Sequence, residues 1–264
     1  MFTTFFQMTA LPFTEYLNPE DLMQEERIAQ SLAKLKFFAD YGTIGLVTGE
    51  DGIGKTSLLK LFIHSLDKTA FYPIYVQLTN MKTIAFLNLL VTSLGETPKR
   101  GKDNSFLNIL NKCQKTGRTC LLIIDEAQFL HTDSLIDLRL LLSSATTNGG
   151  FLKLILVGHP DIHFKLKAGC HNALCQRITT HHKIPSLSQL QTISYLDFHM
   201  KRVGSSDKIF DHEVKLAIHD HSKGIPRNIN NIATASLLQA ESLNSKKVSL
   251  DILNQAISDM LLYL

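Results

Sequence analysis

Gly49-Glu50-Asp51-Gly52-Ile53-Gly54-Lys55-Thr56 fits the pattern G-x-x-x-x-G-K-[ST] at every position, and it restricts the fold more than any other feature of the chain. An apolar run, Thr43-Ile44-Gly45-Leu46-Val47-Thr48, feeds straight into the glycines. Ser57-Leu58-Leu59-Lys60-Leu61-Phe62-Ile63 reads as a helix after them. Such a strand–turn–helix unit points main-chain N–H groups inward at phosphate oxygens, and side chains in the turn would block that approach. The helix then begins at the phosphates and adds the positive end of its dipole. The expectation is a cradle made of Gly49, Glu50, Asp51, Gly52, Ile53, Gly54, Lys55, Thr56 and Ser57. In it Lys55 neutralises the β/γ oxygens and the Thr56 hydroxyl holds Mg²⁺. A chance match in a glycine-rich turn would not explain the strand before it and the helix after it.

The rest of the chain alternates strands and helices up to about residue 187. Ile28, Leu32, Leu35 and Phe38 fall on one helical face before the first strand, following an aromatic stretch with Pro12-Phe13 and Tyr16. Phe71 to Leu78, Cys120 to Asp125, Leu152 to Val157 and Ile178 to Ile184 read as strands. Thr83 to Leu94, Phe106 to Lys115 and Ser134 to Ser144 read as helices. Strands that are apolar throughout, separated by helices, predict a parallel sheet covered on both faces. Past Pro185 the pattern is helical only: Gln189–Val203, Asp211–Ser222, Asn228–Leu243 and Leu250–Leu262. Three regions follow: an extension and helix packed on the core over 1–42, an α/β domain over 43–187, and a small all-helical domain over 188–264.

Composition excludes some classes. The 264 residues carry a formal net charge of +3, too weak to argue for nucleic acid without a local cluster. No apolar run approaches the roughly 18 to 20 residues that span a bilayer. The N-terminus lacks the basic region and cleavage site of a signal peptide. The expectation is a cytoplasmic chain with no membrane segment. Cys113, Cys120, Cys170 and Cys175 match no zinc or disulfide framework, so reduced structural thiols are expected.

Leu121-Leu122-Ile123-Ile124-Asp125-Glu126 supplies the second half of a nucleotide site. Ligands of open α/β sheets bind at the C-terminal edge of central strands, which is where this run delivers its acids. Asp125 would hold Mg²⁺ through water, and Glu126 would polarise the water that attacks the terminal phosphate. His159, in Val157-Gly158-His159-Pro160, ends the next strand and either contacts that phosphate or is an ordinary loop histidine. Arg177 precedes the last strand, and Arg227, in Gly224-Ile225-Pro226-Arg227, opens a helix of the second domain. Either could match charge on a transferring phosphoryl group.

Taken together, these residues resemble an AAA+ ATPase, and within that superfamily the ExeA/TnsC/MuB-like group, over essentially the whole chain. Phe5-Phe6-Gln7-Met8-Thr9-Ala10-Leu11-Pro12-Phe13, the Asp125-Glu126-Ala127-Gln128 box and the Gly158-His159-Pro160 turn carry the group-level likeness. The resemblance implies a P-loop three-layer αβα domain with a five-stranded parallel sheet and a helical lid. It also implies ATP and Mg²⁺ bound between protomers of a ring or helical filament. It assigns His159 to the sensor-1 position, Arg227 to the sensor-2 position in cis, and Arg177 to the arginine finger in trans. Glu50 and Asp51 depart from the usual P-loop by placing acids near phosphate, so weaker nucleotide affinity or slower turnover is expected, and binding is a firmer expectation than efficient hydrolysis.

TnsC- and MuB-like relatives select targets for transposition on duplex DNA and recruit a DDE transposase, sometimes through an adaptor. ExeA-like relatives carry further regions after the ATPase; this chain ends at Leu264, which favours the transposition reading. Lys99, Arg100 and Lys102 lie in a loop where such relatives contact the DNA backbone, and cations repeated along a filament would give strong salt dependence. A solvated basic loop is the alternative. Lys201-Arg202 and Lys246-Lys247 read as solvated faces, and His181-His182 as structural. Two other readings stay open: a secretion or assembly ATPase acting on proteins, and an ATP-binding switch with negligible hydrolysis.

Overall fold

Five strands, four of them largely apolar, form the parallel sheet that the alternation of strands and helices predicts. The computed structural model describes residues 1–14, 23, 26–147, 149–205 and 208–261. Tyr16 and the predicted helix end at Leu262 lie outside the described residues. The strands are β1 (Ile44–Thr48), β2 (Phe71–Gln77), β3 (Thr119–Asp125), β4 (Leu152–Gly158) and β5 (Ile178–Lys183). Across the sheet they run β2-β3-β4-β1-β5, all parallel. The helices begin with α1 (Phe2–Phe5), α2 (Glu26–Tyr41), α3 (Lys55–Ser65), α4 (Thr83–Ser93), α5 (Lys102–Lys115) and α6 (Thr132–Thr147). They continue with α7 (Ile162–Leu166), α8 (Asn172–Cys175), α9 (Gln189–Arg202), α10 (His212–Ser222), α11 (Pro226–Ser242) and α12 (Leu250–Leu261).

The chain divides into two units. One holds Glu26–Glu50 and Lys55–Ile184, and therefore the whole sheet. Within it Leu122, Ile124, Leu154 and Leu156 share a core with Phe86 and Leu90 of α4, Ile109 of α5, and Leu138 and Leu141 of α6. The intervening positions Leu121, Ile123, Ile155 and Val157 are just as buried, on the opposite face. There Gly45 lies against Phe38 of α2, where a Cβ would come within 3.1 Å of the ring. Burial on both faces explains the continuous apolar runs Leu121–Ile124 of β3 and Leu154–Val157 of β4, which do not alternate with polar residues. Each fully buried Leu or Ile contributes about 2 kcal/mol.

The other unit holds Met1–Glu25, Asp51–Gly54 and Pro185–Leu264. Its α9 starts with a full capping box between Ser188 and Gln191, and its α11 has Pro226 in the first turn, where a missing N–H costs nothing. Leu196, Ile218, Ile229, Leu237 and Leu253 form its core.

Residues 1–14 differ from expectation. Phe2, Phe6, Met8 and Phe13 instead insert into the core of the helical unit. Four large apolar side chains in a short segment need a hydrophobic partner, and the helices after Pro185 supply it. His199 of α9 is buried beside this segment, with Nδ1 3.0 Å from the Pro12 carbonyl.

Candidate active site

The C-terminal ends of β1, β3 and β4 meet on one edge of the sheet. The Gly49 N–H donates to the Gly158 carbonyl at 3.2 Å, joining the glycine turn to the end of β4. Gly54 has φ +102°, a conformation an L side chain rarely adopts. Gly52 has φ +78°, and a Cβ there would meet Arg227 Cβ at 2.5 Å. In the same helical unit the Arg227 N–H donates to the Gly52 carbonyl at 3.2 Å. These two glycines are therefore required by backbone geometry and by close approach.

Lys55 is buried, and its Nζ donates to the carbonyls of Gly49 at 2.9 Å and Glu50 at 3.2 Å. The turn wraps its own cation, so the ammonium sits within the cradle. Thr56, one residue on, donates its hydroxyl to Asp125 Oδ2 at 3.1 Å. Ser57 follows, half-buried on α3.

Asp125 is fully buried at the end of β3. Its Oδ1 accepts the Glu126 N–H at 2.9 Å, and its Oδ2 accepts from both Thr56 and the Tyr75 hydroxyl, the latter at 2.8 Å. A buried carboxylate is stable here because both oxygens have donors. Burial and the nearby Asp125 charge push the Tyr75 hydroxyl well above the usual tyrosine range, so it remains a donor. Two hard oxygen donors, Thr56 Oγ1 and Asp125 Oδ2, lie side by side at the foot of the cradle. That pairing fits Mg²⁺, which takes few protein ligands and completes its shell with phosphate and water.

Glu126 adopts a left-handed conformation, φ 59° and ψ 37°, which turns its side chain out of the β3 line. Its Oε2 accepts from Gln128 Nε2 at 2.6 Å, and Gln128 Oε1 accepts the His159 N–H at 2.9 Å. Gln128 thus ties the acid after β3 to the residue after β4. Gly158 makes room for it, since a Cβ there would lie 2.3 Å from Gln128 Oε1. His159 Nε2 lies 3.2 Å from Glu50 Oε2, and Nδ1 lies 3.0 Å from Asp161 Oδ2.

Of the residues singled out in the sequence, Lys55, Thr56, Asp125, Glu126 and His159 converge. Arg177 is exposed between α8 and β5, its Nη1 donating to Ser143 Oγ at 2.8 Å, and it does not join the Asp125 cluster. The basic segment is helical over more of its length than its sequence predicts. Helix α5 begins at Lys102, earlier than the Phe106 start read from the sequence, and Lys102 Nζ is paired at 2.7 Å with Asp137 of α6. Lys99 and Arg100 remain exposed. Tyr75 and Gln128 were not singled out as site residues. The box that contains Gln128 was the available signal; for Tyr75 only its place on a strand neighbouring β3 could have served.

Known proteins resemble this chain in sequence and in fold. Residues 39–166 match the family model of an AAA domain. General secretion pathway protein A of Aeromonas hydrophila is 29% identical over 265 residues, covering 94% of this chain and 46% of that protein. The chain therefore spans about half the length of the curated relative it matches. Among solved structures, Cdc6p of Pyrobaculum aerophilum superposes with a TM-score of 0.75 at 19% identity, over 94% of this chain and 70% of that one. The ORC1 protein of Aeropyrum pernix, solved in complex with DNA, gives 0.66 at 14% identity, over 95% and 68%. At these identities the likeness concerns the fold, which is the P-loop AAA+ fold with a C-terminal helical region.

Proposed function

We propose that the chain is an AAA+ ATPase that binds ATP with Mg²⁺ and hydrolyses it, a reading supported by the match of residues 39–166 to the AAA domain model. One observation carries this reading: Thr56 and Asp125 meet at 3.1 Å, one residue before a Glu126 held by Gln128. Lys55 and the N–H groups of the turn would hold the phosphates, and Thr56 with Asp125 would hold Mg²⁺, which when bound would neutralise phosphate charge. Glu126 would take the proton of the attacking water. Arg227 is proposed to read the terminal phosphate within the chain, and Arg177, exposed as such a role requires, to act on a neighbouring protomer.

The finer reading is an ATP-dependent regulator of transposition. It assembles as a ring or filament on duplex DNA and recruits a DDE transposase. Its support is the resemblance to the TnsC- and MuB-like group together with the exposed Lys99 and Arg100, two cations per protomer that a filament would repeat along the DNA backbone. A second reading, an assembly or secretion ATPase acting on protein partners, is favoured by the 29% identity to general secretion pathway protein A.

Electron microscopy of the Glu126→Gln protein with ATP, with and without duplex DNA, separates the two. The transposition reading expects DNA-dependent assembly that weakens steeply with salt and fails in Lys99→Ala/Arg100→Ala. Nucleotide-dependent oligomers indifferent to DNA would overturn it in favour of the second.

A further inference from the structure

An acid inside a phosphate cradle opposes the anion that the turn is shaped to hold. Here the Glu50 carboxylate has a partner of its own. His159 Nε2 lies 3.2 Å from Glu50 Oε2, and an ionised carboxylate only accepts, so the ring N–H is the donor. The rest of His159 is held as well. Its main-chain N–H is bound by Gln128 Oε1 at 2.9 Å. Its Nδ1 is held by Asp161, 3.0 Å from Oδ2 and 3.3 Å from the main-chain nitrogen. The Nε2–H is therefore the donor that His159 has to offer a ligand, and Glu50 occupies it.

We infer that Glu50 is a positioning residue that makes the site discriminate between nucleoside triphosphate and diphosphate, by competing with the terminal phosphate for the His159 Nε2–H. The inference rests on the reading of Gly49–Thr56 as an ATP site. The Glu50 side chain is 52% exposed and that of His159 27%, so the pair is held in a solvent-screened setting and is weak enough to be broken. The γ-phosphate of a triphosphate carries more charge than one carboxylate and displaces it; a diphosphate has no γ-phosphate, so that position stays empty and the pair stays intact. Glu50 thus taxes triphosphate binding alone. The same competition ties the state of the P-loop to the hydrolytic acid, because His159 connects through Gln128 to Glu126.

The test is equilibrium displacement of a fluorescent ATP analogue by ATP and by ADP, in the presence of Mg²⁺. The proteins are the parent, Glu50→Gln, His159→Ala, the double variant and Lys55→Ala. Glu50→Gln should tighten ATP about tenfold, the scale of a hydrogen bond to a charged group, while ADP changes less than about twofold. In the His159→Ala background the Glu50→Gln effect on ATP should vanish. Equal tightening of ATP and ADP would show a bulk charge effect and overturn the inference, as would an undiminished effect without His159 or no change at all. Lys55→Ala separates the two levels. If it retains full ATP affinity, the ATP-site reading fails and the inference with it. If it loses affinity while Glu50→Gln changes nothing, the inference alone fails.

Discussion

The Thr56 hydroxyl and the Asp125 carboxylate, 69 positions apart in the chain, meet at 3.1 Å. The contact exists because β3 lies two strands from β1 in the sheet, and because the turn after β1 hands directly into α3. Tyr75 joins the same carboxylate oxygen from β2. Removing its hydroxyl by Tyr75→Phe takes one of two donors from Oδ2 of a buried charge. Urea unfolding should show a loss of about 1–2 kcal/mol in the nucleotide-free protein. Ultraviolet titration of the parent and of Tyr75→Phe should coincide near the ordinary tyrosine range, the parent alone showing a further ionisation above it.

Gln128 fixes Glu126 without needing to touch the substrate. Gln128→Ala should leave ATP affinity within about twofold and lower turnover about ten- to a hundredfold, because a base out of position loses most of its advantage. Gln128→Glu, of the same length but without the amide donor, should not rescue it. Steady-state turnover alongside equilibrium binding reads both quantities.

Lys102 is committed to a buried acid. Asp137 has a side chain only 2% exposed, while that of Lys102 is 48% exposed. Lys102→Ala should therefore destabilise the chain by about 1–3 kcal/mol, the screened side of the pair holding the loss below that of a fully buried one. Lys99→Ala and Arg100→Ala should leave stability within about 0.5 kcal/mol. Thermal unfolding of the three variants checks the contrast.

His199 makes the helical unit sensitive to acid. Burial, the largest influence, lowers its pKa to about 4 from an ordinary value near 6.5, against an opposing contribution from the Pro12 carbonyl. The folded pKa lies below the unfolded one, so the unfolded chain binds the proton more readily. Stability from this group is complete above about pH 6.5 and is lost as pH falls towards 4, by at most about 3 kcal/mol. Denaturant midpoints measured across that window should fall with pH in the parent and fall less in His199→Phe.

Much of the site was legible because its chemistry is local in sequence. The turn Gly49–Thr56 and the acids after Ile124 each sit at the end of an apolar strand, and an open parallel sheet gathers such ends on one edge. That β4 lies beside β3 follows from the same logic, and it brings His159 to the acids. What stayed hidden depends on side-chain reach and on distant partners. Tyr75 occupies an exposed strand position paired in register with Ile123, and nothing in its neighbours says that its hydroxyl extends to Asp125. Lys102 reads as part of a polar loop because Gly101 precedes it, yet the φ of +102° at Gly101 lets a helix start there and turns Lys102 towards α6. Phe2, Phe6, Met8 and Phe13 carry no helical or strand period, so their burial among helices far along the chain could not be read from spacing.

The central claim is that this cradle, with its two acids, hydrolyses ATP. The direct measurement is Mg²⁺-dependent phosphate release from ATP by the Glu126→Gln protein beside the parent, with nucleotide binding recorded for both. ATP binding should be retained while turnover falls at least about a hundredfold. Equal phosphate release by the two proteins would contradict it.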